Sequence, residues 1–472
     1  MFQWSFSQIP ILQLGHDFYD PVQPALFPEH KLRYLNQKLY QTIQTTNSFS
    51  AERLCDFKPL AHNLITPLAL RYHGHQFQHY NPNLGDGRGF LYAQLFIDNQ
   101  WYDIGTKGSG QTPYSRAGDG RLTLKGAFRE ALATEMLAAL GVTTSQTLCF
   151  YETGEQLERN DEPSPTRSAV LTRFSRGHIR VGTFQRLAYL RQTENIKKLI
   201  SYCLFFYAPK IHKELVQNEA SELTWATRFL EFSIKKNAES VAEVMLAGFV
   251  HGVLNTDNIN VVGELFDYGP YRFLPNYDLN FTAAYFDQQG LYCYGRQPSA
   301  FLWALHQLAF SLKTALPDLS TEPLLNEFSE HFHKHVQKLF FKKLNLKPKK
   351  SEMDQQLLAT FFQFLEEKQR PFAATFFHFE SLKILENKKW LDLYENESSA
   401  HFKNLLNQLN HYEIANAEIQ KAEFKKNEQP LELLIDEIEK IWKPIAEHDD
   451  WSLFQNKIQS IRQNTVDSAQ LI

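Results

Sequence analysis

His251-Gly-Val-Leu-Asn-Thr-Asp-Asn258, followed nine positions later by Asp267-Tyr-Gly269, is the stretch that decides how this chain is read. Alone, Asn255-Thr-Asp-Asn258 is a polar turn, because Asn and Asp bond to their own backbone and favour turns. Its setting carries more information. Residues 185–250 read mostly as helix, ending in Val241-Ala-Glu-Val-Met-Leu-Ala-Gly-Phe-Val250. Residues 251–300 are loop- and strand-like, with Gly, Pro and Asn throughout, and after Phe301 the chain turns helical and charged. Upstream, 61–121 is rich in Gly and Tyr and holds short apolar runs such as Phe90-Leu-Tyr-Ala-Gln-Leu-Phe96, which read as strands joined by glycine loops. Further strands are expected at 148–152 and 168–174. Leu122, Leu124, Phe128, Leu132, Met136, Leu137 and Leu140 recur at helical spacing, with Gly141 placed as a C-cap. Residues 1–60 carry scattered Pro and aromatics with little periodicity and read as a wrapping segment. The basic break Lys347-Pro-Lys-Lys350 precedes Ser351-x-x-Asp354, a helix start.

The order is therefore a strand-rich part, one long helix, then a mainly helical part with loops at the junction. An α+β, bilobal, protein-kinase-like fold requires that order, with nucleotide in the cleft between lobes. The expected divisions are an N-terminal extension 1–60, a nucleotide-binding lobe 61–184, a catalytic lobe 185–345 and a helical C-terminal extension 346–472. Three elements recur in such clefts. Leu84-Gly-Asp-Gly-Arg-Gly89 would let backbone N–H groups approach phosphate, with Arg88 adding a forked cation, although a glycine turn between strands is by itself only a turn. Lys107 follows the strand-like Trp101-Tyr-Asp-Ile-Gly-Thr106, and Glu130 lies in the 122–140 helix, where an inward carboxylate needs a partner. Either the two pair or both are solvated. The third element is the opening stretch. Kinases use His-Arg-Asp-x-x-x-x-Asn followed by Asp-Phe-Gly. His251 and Asn258 match the ends of that template, where the Asn binds a metal, and Asp267 matches the Asp of Asp-Phe-Gly, the second metal ligand. The base position is Val253, which cannot accept a proton, and a carboxylate stands instead at Asp257.

Arg173 and Arg180 flank Phe174-Ser-Arg-Gly-His-Ile179 and are suited to bidentate phosphate contact, or to ordinary salt bridging. His73, His75 and His79 lack the companion ligands of a complete metal set and read as structural.

These residues resemble the selenoprotein O family of protein adenylyltransferases, which have a kinase-like fold. The motifs are Gly74-His-Gln-Phe77, Leu84-Gly-Asp-Gly-Arg88, Lys107-Gly-x-Gly110, Thr112-Pro-Tyr-Ser-Arg116, Gly118-Asp-Gly-Arg121, Arg129-Glu130, Gly182-Thr-Phe184, Gly248-Phe249, the 251–258 segment and Asp267-Tyr-Gly-Pro270. The resemblance runs almost the whole length and weakens after about residue 345. It implies ATP bound in an orientation flipped relative to kinases, and AMP transferred to protein Ser, Thr or Tyr hydroxyls with Mg2+ or Mn2+. It casts Asp257 as proton acceptor and Asn258 and Asp267 as metal ligands. Gly85, Gly87, Arg88, Lys107, Asp119, Gly120, Arg173, Arg180 and Asp267 become nucleotide contacts, with Glu130 the partner of Lys107. Two departures stand out. Arg272 occupies a position the family usually fills with glycine, and the C-terminal Asp467-Ser-Ala-Gln-Leu-Ile472 lacks the family's redox cysteine or selenocysteine, so regulation by a C-terminal disulfide is not expected. The competing functions are γ-phosphoryl transfer, as in an ordinary kinase, and a catalytically silent ATP-binding scaffold. UTP in place of ATP is open at this point.

Composition sets the outer bounds. The chain has 472 residues with 38 Phe, 20 Tyr and 7 Trp, enough for a substantial core. A net charge of −4 gives no sign of a nucleic-acid or membrane polyanion as partner. The four cysteines, Cys55, Cys149, Cys203 and Cys293, form no Cys-x-x-Cys unit, which fits a reducing compartment. The first twenty residues contain no Lys or Arg, and no apolar run is long enough to span a bilayer. A cytoplasmic protein is expected.

Overall fold

A computed structural model describes residues 2, 4–46, 50, 54–160, 162–349, 352–395, 400–417 and 429–463. The fold is mixed α and β, with most strands in the first 175 residues and mostly helices beyond. The sheet is built on β6 (Gly89–Ile97), β7 (Gln100–Lys107), β9 (Gln146–Leu157) and β10 (Thr166–Ser175). These run longer than the apolar cores that mark them in the sequence, because paired backbone extends past the buried side chains. The order is β1-β3-β6-β7-β10-β9-β2, where β1 is Tyr19–Pro21, β2 is Lys31–Leu35 and β3 is Leu68–Leu70. Both edges of this path therefore come from the first 60 residues. That segment has more regular structure than its weak periodicity suggests: edge strands are short and satisfy their ladder from one side only.

Alternation along the strands sorts the two faces. Tyr102, Ile104, Val170 and Phe174 face one core with Leu39, Ile43, Leu54 and Phe57 of the N-terminal segment. Ala169 and Leu171 face a second, larger core, against the helix Leu124–Ala139. Thr123 caps that helix, its Oγ1 accepting from Gly126 N at 3.0 Å. Phe454 of the helix Ser452–Gln463 and Trp442 of the helix Ile435–His448 pack on Phe128, so the end of the chain closes over this helix.

The stretch expected to be helix from 185 to 250 is four helices: Val181–Tyr189, Thr193–Tyr207, Pro209–Gln217 and Glu222–Leu246. The last ends before Val250, because Gly248 adopts φ +65°. Phe249–Val250 (β11) then pairs with Arg272–Phe273 (β12), bracketing the 251–269 segment as a loop on a two-strand base. Ser351 of the expected helix start lies outside the described residues. Asp354 is buried and accepts from Lys349 N at 3.0 Å and Tyr412 Oη at 2.9 Å.

Candidate active site

Lys107 ends β7 on the face covered by the Leu124–Ala139 helix. Its Nζ is 2.5 Å from Glu130 Oε2, and Glu130 is only 2% exposed. A carboxylate this deep is tolerated because a cation meets it. Neighbouring Arg129 reaches the other way. Its guanidinium lies 5.0 Å over the Tyr271 ring and donates to the carbonyls of Gly269 and Tyr271 at 3.4 and 3.3 Å, while Tyr271 Oη donates to Arg129 O at 2.7 Å. One helix thus holds both Lys107 and the loop bearing Asp267. Arg272 folds back on that loop, donating to Pro270 O at 2.9 Å and Tyr271 O at 2.8 Å, and does not line the cleft. The Arg272 side chain therefore closes its own turn.

His251 is buried. Its Nε2 donates to Phe266 O at 3.0 Å and its Nδ1 accepts from Val253 N at 3.4 Å, which ties the two halves of the segment together. Backbone bonds from Val181 N to Ile259 O and from Val261 N to Ile179 O fasten the loop to the start of the helix Val181–Tyr189. Asp257 and Asn258 sit on a short 3-10 turn, Thr256–Asn258. Asn258 Nδ2 donates to Val253 O at 3.0 Å, which fixes the amide. Asp257 is 8% exposed, and its Oδ1 has no hydrogen-bond partner among the described residues. Burial pushes its carboxyl up to about 6; Arg180 and Arg116 oppose the rise and Asp267 adds to it.

Asp267 has the opposite surroundings. Its Oδ1 is 2.6 Å from Arg173 Nη1 and 3.5 Å from Lys107 Nζ, and its Oδ2 is 3.0 Å from Arg180 Nη1. Burial alone would raise its proton affinity, but Arg173, Lys107 and Arg180 outweigh it and hold the carboxyl well below the usual range. Arg180 is stacked between Tyr72 and Phe266, each ring 4.6 Å away, and also donates to Asp257 O at 2.8 Å. The Nε atoms of Arg173 and Arg180 are buried without partners among the described residues.

The glycine loop faces this cluster. Asp86 within it accepts from Leu70 N at 3.0 Å and lies 3.3 Å from Arg180 Nη2. Thr112 Oγ1 donates to Asp86 O and Ser115 Oγ to Gly87 O, and Tyr114 packs so closely on Gly85 that a Cβ there would sit 2.3 Å from Tyr114 Cγ. The Thr112–Arg116 motif is thus the outer ply of the loop, and that explains why glycine is needed beneath it. Arg88 and Arg116 are exposed and have no ion pair among the described residues. Asp119 pairs with Arg159 at 2.9 Å on the rim, beside Gly120.

Gly85, Gly87, Arg88, Lys107, Asp119, Gly120, Arg173, Arg180, Asp257, Asn258 and Asp267 all line one cleft of about 800 Å³, with Glu130 behind Lys107. That volume is in the range of small-molecule sites. Tyr72, Asp86, Tyr114 and Arg116 also line it and escape a reading by motif role. Asp86 and the 112–116 segment stand inside quoted motifs, but their partners are far along the chain. His73 and His75 are occupied structurally, by Tyr80 Oη at 2.8 Å and Gln185 Nε2 at 2.7 Å, and His79 is exposed.

The helix Val181–Tyr189 can approach β4 (Gly74–Gln76) only because Gly182 has no side chain: a Cβ would lie 2.1 Å from His73 O. Since Arg180 and Asp257 depend on this seat, Gly182→Ala is expected to cost about 1–3 kcal/mol in urea denaturation and to lower activity with it.

The donors suit a hard divalent ion. Asp267 offers a carboxylate, Asn258 an amide whose nitrogen is already engaged, and Asp257 a buried oxygen without a partner. Few protein ligands are normal for Mg2+, which keeps phosphate and water oxygens in its shell.

The class of the enzyme, a nucleotidyltransferase, follows from comparisons with known proteins. A profile of the family described as "Protein adenylyltransferase SelO" matches residues 4–462. Proteins named protein nucleotidyltransferase YdiU are similar throughout. The Synechocystis sp. protein is 41% identical, with 95% of this chain and 96% of the relative covered. The Trichormus variabilis protein is 41% identical over 95% and 94%, and that of Trichodesmium erythraeum 39% identical over 97% and 98%. The chain belongs to the SelO family of protein adenylyltransferases.

Proposed function

We propose that the protein transfers AMP from ATP to Ser, Thr or Tyr hydroxyls of acceptor proteins, in a cleft between two lobes of a protein-kinase-like fold. In this reading 61–184 is the nucleotide lobe and 185–345 the catalytic lobe, 1–60 braces the sheet, and 346–472 extends the helical part. The observation that carries it is Asp257: buried, with a partnerless Oδ1 and a raised proton affinity, beside Asn258 and across from the cationic cluster around Asp267. A base near neutrality is the most effective kind at physiological pH.

Asp257 takes the proton of the acceptor hydroxyl as the hydroxyl oxygen bonds to the α-phosphorus. The bond from that phosphorus to the α–β bridging oxygen breaks, and pyrophosphate leaves with the electron pair. Lys107, Arg173 and Arg180 stabilise the departing charge, and the unpaired Nε–H groups of the two arginines are donors in reserve for it. Gly85, Gly87 and Gly120 let backbone approach the nucleotide, with Arg88 and Asp119 at the rim. Asn258 and Asp267 would hold Mg2+ or Mn2+, which when bound offsets phosphate charge. Catalysis rests mainly on positioning and electrostatics.

No helix among the described residues is long and apolar enough to cross a membrane. We read the protein as a cytoplasmic enzyme on the cysteine pattern of the sequence, in which Cys55, Cys149, Cys203 and Cys293 form no Cys-x-x-Cys unit.

Incubation with acceptor protein and either α- or γ-labelled ATP tests the reading. Label is expected in protein from the α position only. Label from the γ position alone would establish a kinase, and no labelling with either Mg2+ or Mn2+ would favour a silent scaffold. Competition by UTP measures base selectivity.

A further inference from the structure

β7 alternates Asp103, Gly105 and Lys107 on one face. Lys107 belongs to the cleft. The other two positions make a place for His178, whose ring lines the same cleft although its sequence position marks no motif. Asp103 Oδ2 is 3.0 Å from His178 Nδ1, and Asp103 Oδ1 is itself held by Gln94 Nε2 at 2.7 Å. Gly105 leaves the space: a Cβ there would lie 2.7 Å from His178 Nε2 and 3.5 Å from Arg173 Nε. Arg173 is also the cross-strand partner of Gly105. His178 Nε2 thus stands beside the Arg173 guanidinium, on the face that carries Lys107, and has no hydrogen-bond partner among the described residues. His178 is 6% and Asp103 4% exposed. A buried His–Asp pair with one ring nitrogen left over is a costly arrangement for packing alone.

We propose that His178, oriented by Asp103, is a further binding residue for the terminal phosphates of ATP, the part that leaves as pyrophosphate. Nδ1 is held by Asp103 and Nε2 is left to face a phosphate oxygen, so that His178 joins Lys107, Arg173 and Arg180 in a cradle around the terminal phosphates. Asp103 is a positioning residue. This inference rests on the triphosphate reading of the cleft.

Calorimetric titration of the whole protein with ATP, inorganic pyrophosphate and AMP, in magnesium buffer, tests it. His178→Ala is expected to weaken ATP and pyrophosphate by about tenfold, the worth of one charge-assisted hydrogen bond, and to leave AMP within about twofold. Asp103→Asn, which keeps the packing, should shift the same two ligands by less. Equal losses for all three ligands would reduce His178 to a packing residue, and no loss for ATP would also overturn the proposal. A wild-type protein that binds none of the three would remove the nucleotide reading itself and this inference with it. One that binds ATP no more tightly than AMP would remove only the cradle.

Discussion

Asp257→Asn is expected to slow transfer by about 10²–10⁴-fold, the usual contribution of a general base, and at the same time to make the nucleotide-free protein more stable. The two effects share one cause. The Asp257 carboxylate is buried with an unpartnered oxygen, and its proton affinity is raised from the ordinary 3.8 to about 6. A raised carboxyl pKa means that the folded state disfavours the ion. The penalty is absent below about pH 4, grows as pH rises toward 6 and is complete above it. A rise from 3.8 to about 6 corresponds to about 3 kcal/mol, which the neutral amide would recover at pH 7. Urea denaturation of wild type and variant at pH 4 and pH 7 reads this directly: near-equal stabilities in acid and a more stable variant at neutrality. The wild-type kcat/KM should rise through about pH 6 as the base form fills. A variant with wild-type transfer rates would remove Asp257 from its assigned role.

Asp267→Asn, ten residues away, should move stability in the opposite direction. The native carboxylate is surrounded by Arg173, Lys107 and Arg180, and its pKa is depressed. A depressed group contributes stability above its unfolded pKa, near 4, and loses it only as pH falls through the folded value. At pH 7 the full contribution is present. Neutralising it leaves three crowded cations with only Glu130, Asp86 and Asp257 as nearby anions. Breaking such a buried arrangement costs about 3–5 kcal/mol, visible as a lower urea midpoint that approaches the wild type only in strong acid. Activity should fall by roughly 10²–10³-fold, because the cation cluster loses its organising anion and a metal ligand goes with it. Two aspartates in one cleft would thus give inactive proteins of opposite stability, which no general loss of fold can imitate.

Much of this site was legible in the sequence because its chemistry is local. Asp257 and Asn258 are neighbours in the chain, and Gly85 and Gly87 lie within one short loop, so these cleft residues leave a short-range pattern. Helix spacing over 122–140 likewise marked out the helix, while the inward facing of Glu130 and its pairing with Lys107 came only from the structure. The convergence of Arg173 and Arg180 on Asp267 left no such trace, since the partners are nearly a hundred residues apart. The pairing of β1 and β2 onto the sheet escaped notice for a related reason: three to five residues are too few for periodicity to register.

What the sequence by itself determined was the inventory: which side chains could bind phosphate, that a carboxylate stands at Asp257 where Val253 cannot act as base, and which of the longer segments are strand or helix. Side-chain type and local spacing settle those matters. Only the tertiary structure decided the protonation behaviour of the two aspartates, the role of Arg272 in closing its own loop and the placing of His178 in the space above Gly105. Those depend on burial and on charges brought together across the chain, and a linear pattern records neither.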